Sequence, residues 1–151
     1  MLLHATTRSD ELTGLVNRRG MLEALRRELS HASRRTDQLA VAVLDLDDFK
    51  TLNDTHGHLA GDSLLSQAAR SWQSAVRGSD LLCRYGGDEF AIIMPGCSPY
   101  IAEQVVGRLR AATPEVSFSA GIAAWDGSES GDALLKRADD ELYRAKRARR
   151  Q

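Results

Sequence analysis

Two short segments of the sequence place carboxylates beside apolar runs. Asp45 ends the run LAVAVLD at residues 39–45, and Asp88 and Glu89 follow two glycines that separate two further apolar runs. If these runs are neighbouring strands of one sheet, Asp45 and Asp88 converge. Paired carboxylates suit Mg²⁺, which takes oxygen ligands octahedrally and usually shares them with substrate phosphates. A single acidic residue at a strand end or turn is more often solvated, so the hypothesis depends on the convergence of two such groups.

Several basic and polar side chains could complete a site for a charged ligand. Lys50, Lys146 and Arg150 are candidates to neutralise a polyphosphate, although basic residues in the last turn of a helix also complement its dipole. Asn53 and Asp62 could recognise the edge of a base through hydrogen bonds, but both residue types equally cap helices and form turns. Spacing alone leaves these alternatives open.

The hydrophobic pattern predicts the elements that position these residues. Gly86-Gly87 predicts a tight hairpin, because glycines accept the positive φ of primed turns. The expected order is αβαββαβα: a helix over 17–35, a strand over 39–45, a helix over 64–76, hairpin strands over 80–85 and 90–94, a helix over 101–109, a strand over 116–125 and a helix over 134–145.

This order favours an α+β fold with a mainly antiparallel central sheet flanked by helices. We expect residues 1–9 to be a peripheral N-terminal segment and residues 10–151 to form one domain, since 151 residues suffice for one substantial core. Cys83 and Cys97 have no metal-ligand spacing, which favours buried reduced thiols.

Composition limits the classes of partner. Lys and Arg total 20 against 21 Asp and Glu, so the net charge of −1 gives no field for nucleic acid or an anionic membrane. The N-terminus lacks the apolar core of a signal peptide, and the run 39–44 is too short to cross a bilayer. We therefore expect a cytoplasmic chain with no nucleic-acid partner and no membrane segment of its own.

The ordered motifs resemble the GGDEF family of diguanylate cyclases over the chain from Asp10 to the last residue. A lone GGDE string would be weak evidence, whereas the series in this order and spacing is specific. The motifs are DELTGLVNRR at 10–19, DLDDFK at 45–50, Asn53-Asp54, Gly57-His58, Gly61-Asp62, RYGGDEF at 84–90, SAGIA at 119–123 and ADDELYRAK at 138–146.

The resemblance implies a nucleotidyl-cyclase or palm-like sheet whose hairpin carries the motif, and a homodimer in which each subunit holds one GTP. Each 3′-hydroxyl attacks the α-phosphate of the other GTP, giving cyclic di-GMP. By this resemblance Asp45, the backbone carbonyl of Leu46 and Asp88 hold Mg²⁺, with Mn²⁺ as an alternative ion, and Glu89 assists. Asp88 is also the candidate general base, and Lys50 stabilises charge that develops on the phosphate.

The resemblance also assigns residues to the substrate. Asn53 and Asp62 match positions that recognise guanine, and His58 matches a further position on the substrate side. Lys146 and Arg150 match a phosphate-binding pair. On both sides of Arg150 the chain departs from the family pattern, because Arg149 and Gln151 stand where glycine and asparagine are common.

A second ligand site is implied upstream of the hairpin. The sequence Arg77-Gly78-Ser79-Asp80 ends five residues before the hairpin glycines, at the family's position for an inhibitory site that binds cyclic di-GMP. Arg108 matches a second arginine of that site. Arginine suits the role, because its planar guanidinium can pair with phosphate and stack on guanine.

Parts of the sequence are compatible with three other functions. A catalytically silent module that binds GTP or cyclic di-GMP would be favoured by loss of Asp45, Asp88 or Glu89, and all three are present. Another nucleotidyl cyclase or a polymerase-like palm domain explains the strand-end carboxylates but not Asn53 and Asp62. A purely structural helix-sheet domain explains each residue singly and none of the spacing.

Overall fold

The computed structural model describes residues 7–150, and within them the chain forms five helices and four strands. In chain order they are α1 (Arg18–Arg35), β1 (Leu39–Leu46), α2 (Phe49–His56), α3 (His58–Ala75), β2 (Leu81–Arg84), β3 (Glu89–Pro95), α4 (Pro99–Ala112), β4 (Phe118–Ala124) and α5 (Gly131–Arg149).

The strands form one antiparallel sheet in the order β2-β3-β1-β4. Strand β1 pairs with β3 on one side and β4 on the other, so its two edges are both covered. Seven of its eight residues are buried, which explains why the sequence of β1 is apolar without interruption.

Alternate residues of the strands face two separate hydrophobic cores. Leu44 and Phe90 pack with α3 and α4 on one face, where Trp72 forms the aromatic centre with its indole nitrogen donating to Thr113 at 3.0 Å. Val43 and Ala91 pack with α1 and α5 on the other face. Asp45 continues the second set along β1, so its side chain lies on the α1/α5 face of the sheet.

Helix α5 approaches β4 unusually closely at Gly121. A Cβ atom built on Gly121 would lie 2.1 Å from the carbonyl oxygen of Ala138 and 2.3 Å from the nitrogen of Leu142. Both of those atoms belong to the helix backbone, so neither can rotate away. Glycine at this position therefore sets the distance between α5 and the sheet, and with it the position of the C-terminal half of the helix.

The structure confirms the predicted α+β class and the antiparallel sheet. The predicted order lacked α2, because this helix is only eight residues long, buries none of them fully and offers only Phe49 and Leu52 as apolar side chains. The reason given for the hairpin glycines was also wrong, since neither Gly86 nor Gly87 has a positive φ in the left-handed region. A Cβ on Gly86 would lie 2.4 Å from a carboxylate oxygen of Glu89, so a larger residue there would displace the end of the Glu89 side chain.

The N-terminal segment is described from Thr7 onward, and residues 1–6 of the predicted peripheral segment lie outside the described residues. Arg8 forms an ion pair with Glu23 of α1 at 2.6 Å, and Ser9 and Val16 form an isolated antiparallel β-bridge. Cys83 and Cys97 are buried free thiols, as predicted, and burial raises the pKa of Cys83 to about 12. No helix within residues 7–150 is long and apolar enough to span a membrane.

Candidate active site

The end of β1 and the hairpin meet at one edge of the sheet. Asp45 pairs in register with Glu89, and the backbone nitrogen of Leu46 donates to the carbonyl of Asp88 at 3.1 Å. This pairing brings the side chains of Asp45 and Asp88 against one another. The convergence that the sequence predicted only conditionally is therefore present.

The carboxyl group of Asp45 is poorly compensated. Within residues 7–150 its Oδ1 atom is buried without a hydrogen-bond partner, while Oδ2 forms an ion pair with Nζ of Lys146 at 3.2 Å. Burial, followed by the neighbouring Asp88 carboxylate, raises the pKa of Asp45 to about 6 despite the lysine. Two neighbouring carboxyl groups, one of them with a buried oxygen that has no hydrogen-bond partner among the described residues, provide the kind of oxygen ligands that a hard divalent cation prefers.

The oxygen atoms at this edge of the sheet fit the way in which proteins usually bind Mg²⁺ together with a nucleotide. Within residues 7–150 no group of three or more His, Cys, Asp or Glu side chains is placed to enclose a metal. One or two carboxylates, completed by backbone, water and substrate phosphate oxygens, are the common Mg²⁺ arrangement. Asp45, Asp88 and the Leu46 carbonyl are the groups that would hold the ion.

Glu89 lies beside this pair and turns back over Gly86. Burial raises its pKa, and the negative charges of Asp88 and Asp139 raise it further. Arg18 and Lys146 act in the opposite direction, and the guanidinium of Arg18 also stacks on Tyr85, 4.3 Å from the ring centroid. Glu89 is thus held at the margin of the site, in a region where negative charge accumulates.

Lys146 reaches the carboxylates from the last turns of α5. Its Nζ lies 3.2 Å from Asp45 Oδ2 and 3.7 Å from Asp47 Oδ1. Sequence analysis placed Lys146 in the site but named neither Asp47 nor Arg149 as a site residue. Arg149 contacts Asp47 at 3.2 Å and Asp48 at 2.9 Å. Arg150, its predicted companion, is exposed at the C-terminal cap of α5, and Gln151 lies outside the described residues.

The predicted base-recognition residues lie on α2 and α3, which follow β1 directly. Asn53 Oδ1 is buried without a hydrogen-bond partner, and a Cβ on Gly61 would lie 1.9 Å from it. Gly61 therefore leaves space for the amide of Asn53. Asp62, the next residue of α3, is exposed, as are Lys50 near the start of α2 and His58 at the start of α3.

The predicted inhibitory residues gather where α3 ends. Arg77 donates through Nε and Nη2 to the buried carboxylate of Asp80 and through Nη2 to the carbonyl of Pro95 at 2.8 Å. Arg108 donates from α4 to the carbonyl of Ala75, the last residue of α3, at 3.2 Å. Burial raises the pKa of the Cys97 thiol, which the charges of Arg77 and Arg108 lower and that of Asp80 raises.

Fold and site together define an α+β domain with a two-carboxylate oxygen site at the end of strand β1, which leads directly into the helix pair α2 and α3. The chain belongs to the GGDEF family, because the family model described as "Diguanylate cyclase, GGDEF domain" matches residues 7–151.

Relatives of known name support this assignment. The chain is 42% identical over 153 residues to diguanylate cyclase DgcP of Pseudomonas aeruginosa, covering 94% of this chain and 23% of that protein. It is 39% identical over 150 residues to diguanylate cyclase DosC of Escherichia coli, covering 91% of this chain and 33% of that protein. The chain thus spans about a quarter to a third of the length of these relatives.

The fold is shared with solved structures of the family. The GGDEF domain of DgcB from Caulobacter crescentus, solved in complex with c-di-GMP, superposes with a TM-score of 0.91 at 30% identity, covering 94% of this chain and 91% of that one. A sensory box/GGDEF family protein from the same species superposes with a TM-score of 0.87 at 35% identity, covering 94% and 99% of the two chains.

Proposed function

We propose that this chain is a diguanylate cyclase domain that condenses two GTP molecules into cyclic di-GMP and two pyrophosphates. The observation that carries the proposal is the buried Oδ1 of Asp45, which has no hydrogen-bond partner within residues 7–150 and belongs to a carboxyl group that neighbours Asp88. Buried side-chain oxygens with a purely structural role are normally hydrogen-bonded. Named diguanylate cyclases among the relatives support the same activity.

The reaction is an in-line displacement at phosphorus. The 3′-oxygen of one GTP forms a bond to the α-phosphorus of the other, and the bond from that phosphorus to the bridging oxygen of the β-phosphate breaks, releasing pyrophosphate. Bound Mg²⁺ supplies charge neutralisation at the triphosphate and lowers the pKa of a coordinated hydroxyl. Asp88 accepts the proton of the 3′-hydroxyl, and Glu89 assists in holding the cation.

The remaining polar residues position the nucleotide. Lys146 already lies at the carboxylates and pairs with phosphate oxygens once substrate is present, with Arg150 and Lys50 adding positive charge. Asn53 and Asp62 recognise guanine, because a carboxylate accepts from the N1 and N2 hydrogens that adenine lacks as a pair. His58 contacts the substrate from the start of α3. GTP is abundant in the cytoplasm, which favours a cytoplasmic location.

Catalysis requires two copies of the domain. One carboxylate pair serves one GTP, and the second GTP must be brought to it by another subunit. Activity per chain should therefore fall on dilution through the dissociation range of the dimer. The product is also the proposed inhibitor, bound by Arg77, Asp80 and Arg108 at the end of α3.

Incubation of the purified chain with GTP and Mg²⁺, followed by chromatographic identification of the product, tests the activity. Asp88→Asn should abolish product formation, while Asp140→Asn, an exposed acidic residue on α5, serves as the matched control. Folded, dimeric chain that binds GTP or cyclic di-GMP but forms no product would instead identify a catalytically silent binding module.

A further inference from the structure

Asp47 is the most completely bound carboxylate of the site, although sequence reasoning gave it no role. Its side chain is 3% exposed. The hydroxyls of Ser117 and Ser119 donate to its two oxygens at 2.7 and 2.8 Å, and the cations of Lys146 and Arg149 lie at 3.7 and 3.2 Å. Asp47 therefore connects the end of β1, the start of β4 and the last turns of α5.

Asp45 and Asp47 differ in what they can offer a cation. Asp45 has a buried oxygen with no hydrogen-bond partner, whereas both oxygens of Asp47 already accept a serine hydroxyl. Lys146 lies between the two carboxylates. A divalent cation held by Asp45 would neutralise the negative charge of that carboxylate and repel the lysine, so Asp47 would be the carboxylate that keeps Lys146 in place.

Arg149 strengthens this anchor from the same helix. It contacts Asp47 and also Asp48, whose backbone has a positive φ of 58° at the turn into α2. Two cations of α5 are thus tied to consecutive residues of the loop that leaves the metal-binding end of β1.

We propose that Asp47 is a positioning residue, which holds Lys146 and Arg149 of α5 toward the phosphates of the bound nucleotide without itself contacting metal or substrate. The inference rests on the proposed function only in taking those phosphates to be the triphosphate of GTP.

The test measures binding without turnover. 3′-Deoxy-GTP with Mg²⁺ carries the triphosphate but lacks the attacking hydroxyl, and guanosine carries the base without phosphates. Asp47→Asn, which preserves shape and removes charge, should weaken binding of 3′-deoxy-GTP about tenfold and leave guanosine binding unchanged, because only the phosphate-side cations are displaced. Arg149→Gly should weaken 3′-deoxy-GTP binding by a smaller factor, about threefold, as expected for a half-exposed ion pair.

Two further variants complete the series. Ser117→Ala removes one neutral hydrogen bond to Asp47 and should shift 3′-deoxy-GTP binding in the same direction, providing a mild variant should Asp47→Asn fold poorly. Asp140→Asn on the exposed side of α5 should bind both ligands like the parent chain. Equal losses for both ligands in Asp47→Asn, or Ser117→Ala and Arg149→Gly that both bind 3′-deoxy-GTP like the parent, would overturn the inference.

Failure of the role proposed for Asp47 and failure of the proposed cyclase activity give different results. A parent chain that binds 3′-deoxy-GTP but converts no GTP contradicts the proposed activity and leaves the role of Asp47 to be decided by the binding series. A parent chain that makes cyclic di-GMP, with Asp47→Asn unchanged in its affinity for 3′-deoxy-GTP, contradicts the role of Asp47 alone.

Discussion

The guanidinium of Arg84 pairs with the carboxylate of Asp10, with Nη1 lying 3.1 Å from Oδ1 although the two residues are 74 positions apart. The same guanidinium donates through Nη2 to the carbonyl of Gly87 at 2.7 Å, immediately before Asp88. Arg84 thereby fastens the N-terminal segment to the hairpin that carries the acidic pair.

We expect Arg84→Lys to lower the free energy of unfolding by about 1 kcal/mol, because a lysine cannot serve both partners in the geometry of a planar guanidinium. Urea unfolding followed by circular dichroism measures this. Lys136→Ala, which breaks a largely exposed pair with Asp140 at 3.5 Å, is the control and should change stability by less than about 0.5 kcal/mol. Equal stabilities of Arg84→Lys and the parent chain would show that Asp10 and Gly87 are held by other contacts.

Asp45→Asn should stabilise the metal-free chain at pH 8. Burial and Asp88 raise the folded-state pKa of Asp45 to about 6, above the unfolded value, so ionisation of Asp45 costs stability. The cost is absent below the unfolded pKa, grows as pH rises between the two pKa values and is complete above about 6. We expect a gain of about 1 kcal/mol at pH 8 after allowance for solvent screening, and none at pH 3.5. Thermal unfolding of Asp45→Asn and the parent chain with EDTA at both pH values tests this prediction. Equal melting temperatures of the two proteins at pH 8 would contradict it.

Gly121→Ala should destabilise the fold by about 2–3 kcal/mol, because its Cβ would meet the immovable backbone of α5 at 2.1 Å. Gly107→Ala is the matched control, since its Cβ has no atom within 4 Å and the residue lies inside α4. That control should gain about 0.5–1 kcal/mol from the lower conformational entropy of the unfolded chain. Chemical unfolding of both variants under one condition tests the pair, and a stable Gly121→Ala would show that α5 can move away from the sheet.

Arg77→Ala and Arg108→Ala should separate stability from product inhibition. The Asp80 side chain is fully buried, so loss of Arg77 leaves it without its cation and should cost about 2 kcal/mol. Arg108 donates a hydrogen bond from an exposed position to the backbone carbonyl of Ala75, so its loss should cost about 0.5 kcal/mol or less. Both variants should show weaker inhibition by cyclic di-GMP. Inhibition curves that match the parent chain for Arg108→Ala would remove this arginine from the proposed site.

The sequence predicted the parts of this fold that are encoded in continuous hydrophobic patterns. β1 is buried from both sides and is apolar throughout, and α1, α4 and α5 carry clear stripes. Helix α2 is eight residues long and buries none of them fully, so its two apolar side chains, Phe49 and Leu52, were too few to indicate a helix in the sequence.

The sequence likewise predicted the site residues that lie next to apolar runs but not those whose contacts depend on tertiary packing. Asp45 and Asp88 were identifiable because each ends or follows an apolar run, and their convergence required only that β1 and β3 be neighbours. Asp47 and Arg149 were not predicted as site residues, because their contacts with each other and with Ser117 and Ser119 form only when α5 and the start of β4 lie beside the end of β1. A signal did exist in the chain: arginine stands at position 149 where the family commonly has glycine, and the helix continues through it.

Asp45 pairs with Glu89 on one side and with Ser119 on the other. The strand register that builds the hydrophobic core therefore also places Asp45 in the candidate site. A slip of one residue in either pairing would turn Asp45 to the opposite face of the sheet, and it would also remove Val41 and Val43 from their core. A misregistered molecule therefore loses its acidic pair entirely and is not converted into a weaker or less selective catalyst. Titration of functional sites in a preparation of this chain would consequently count correctly folded molecules.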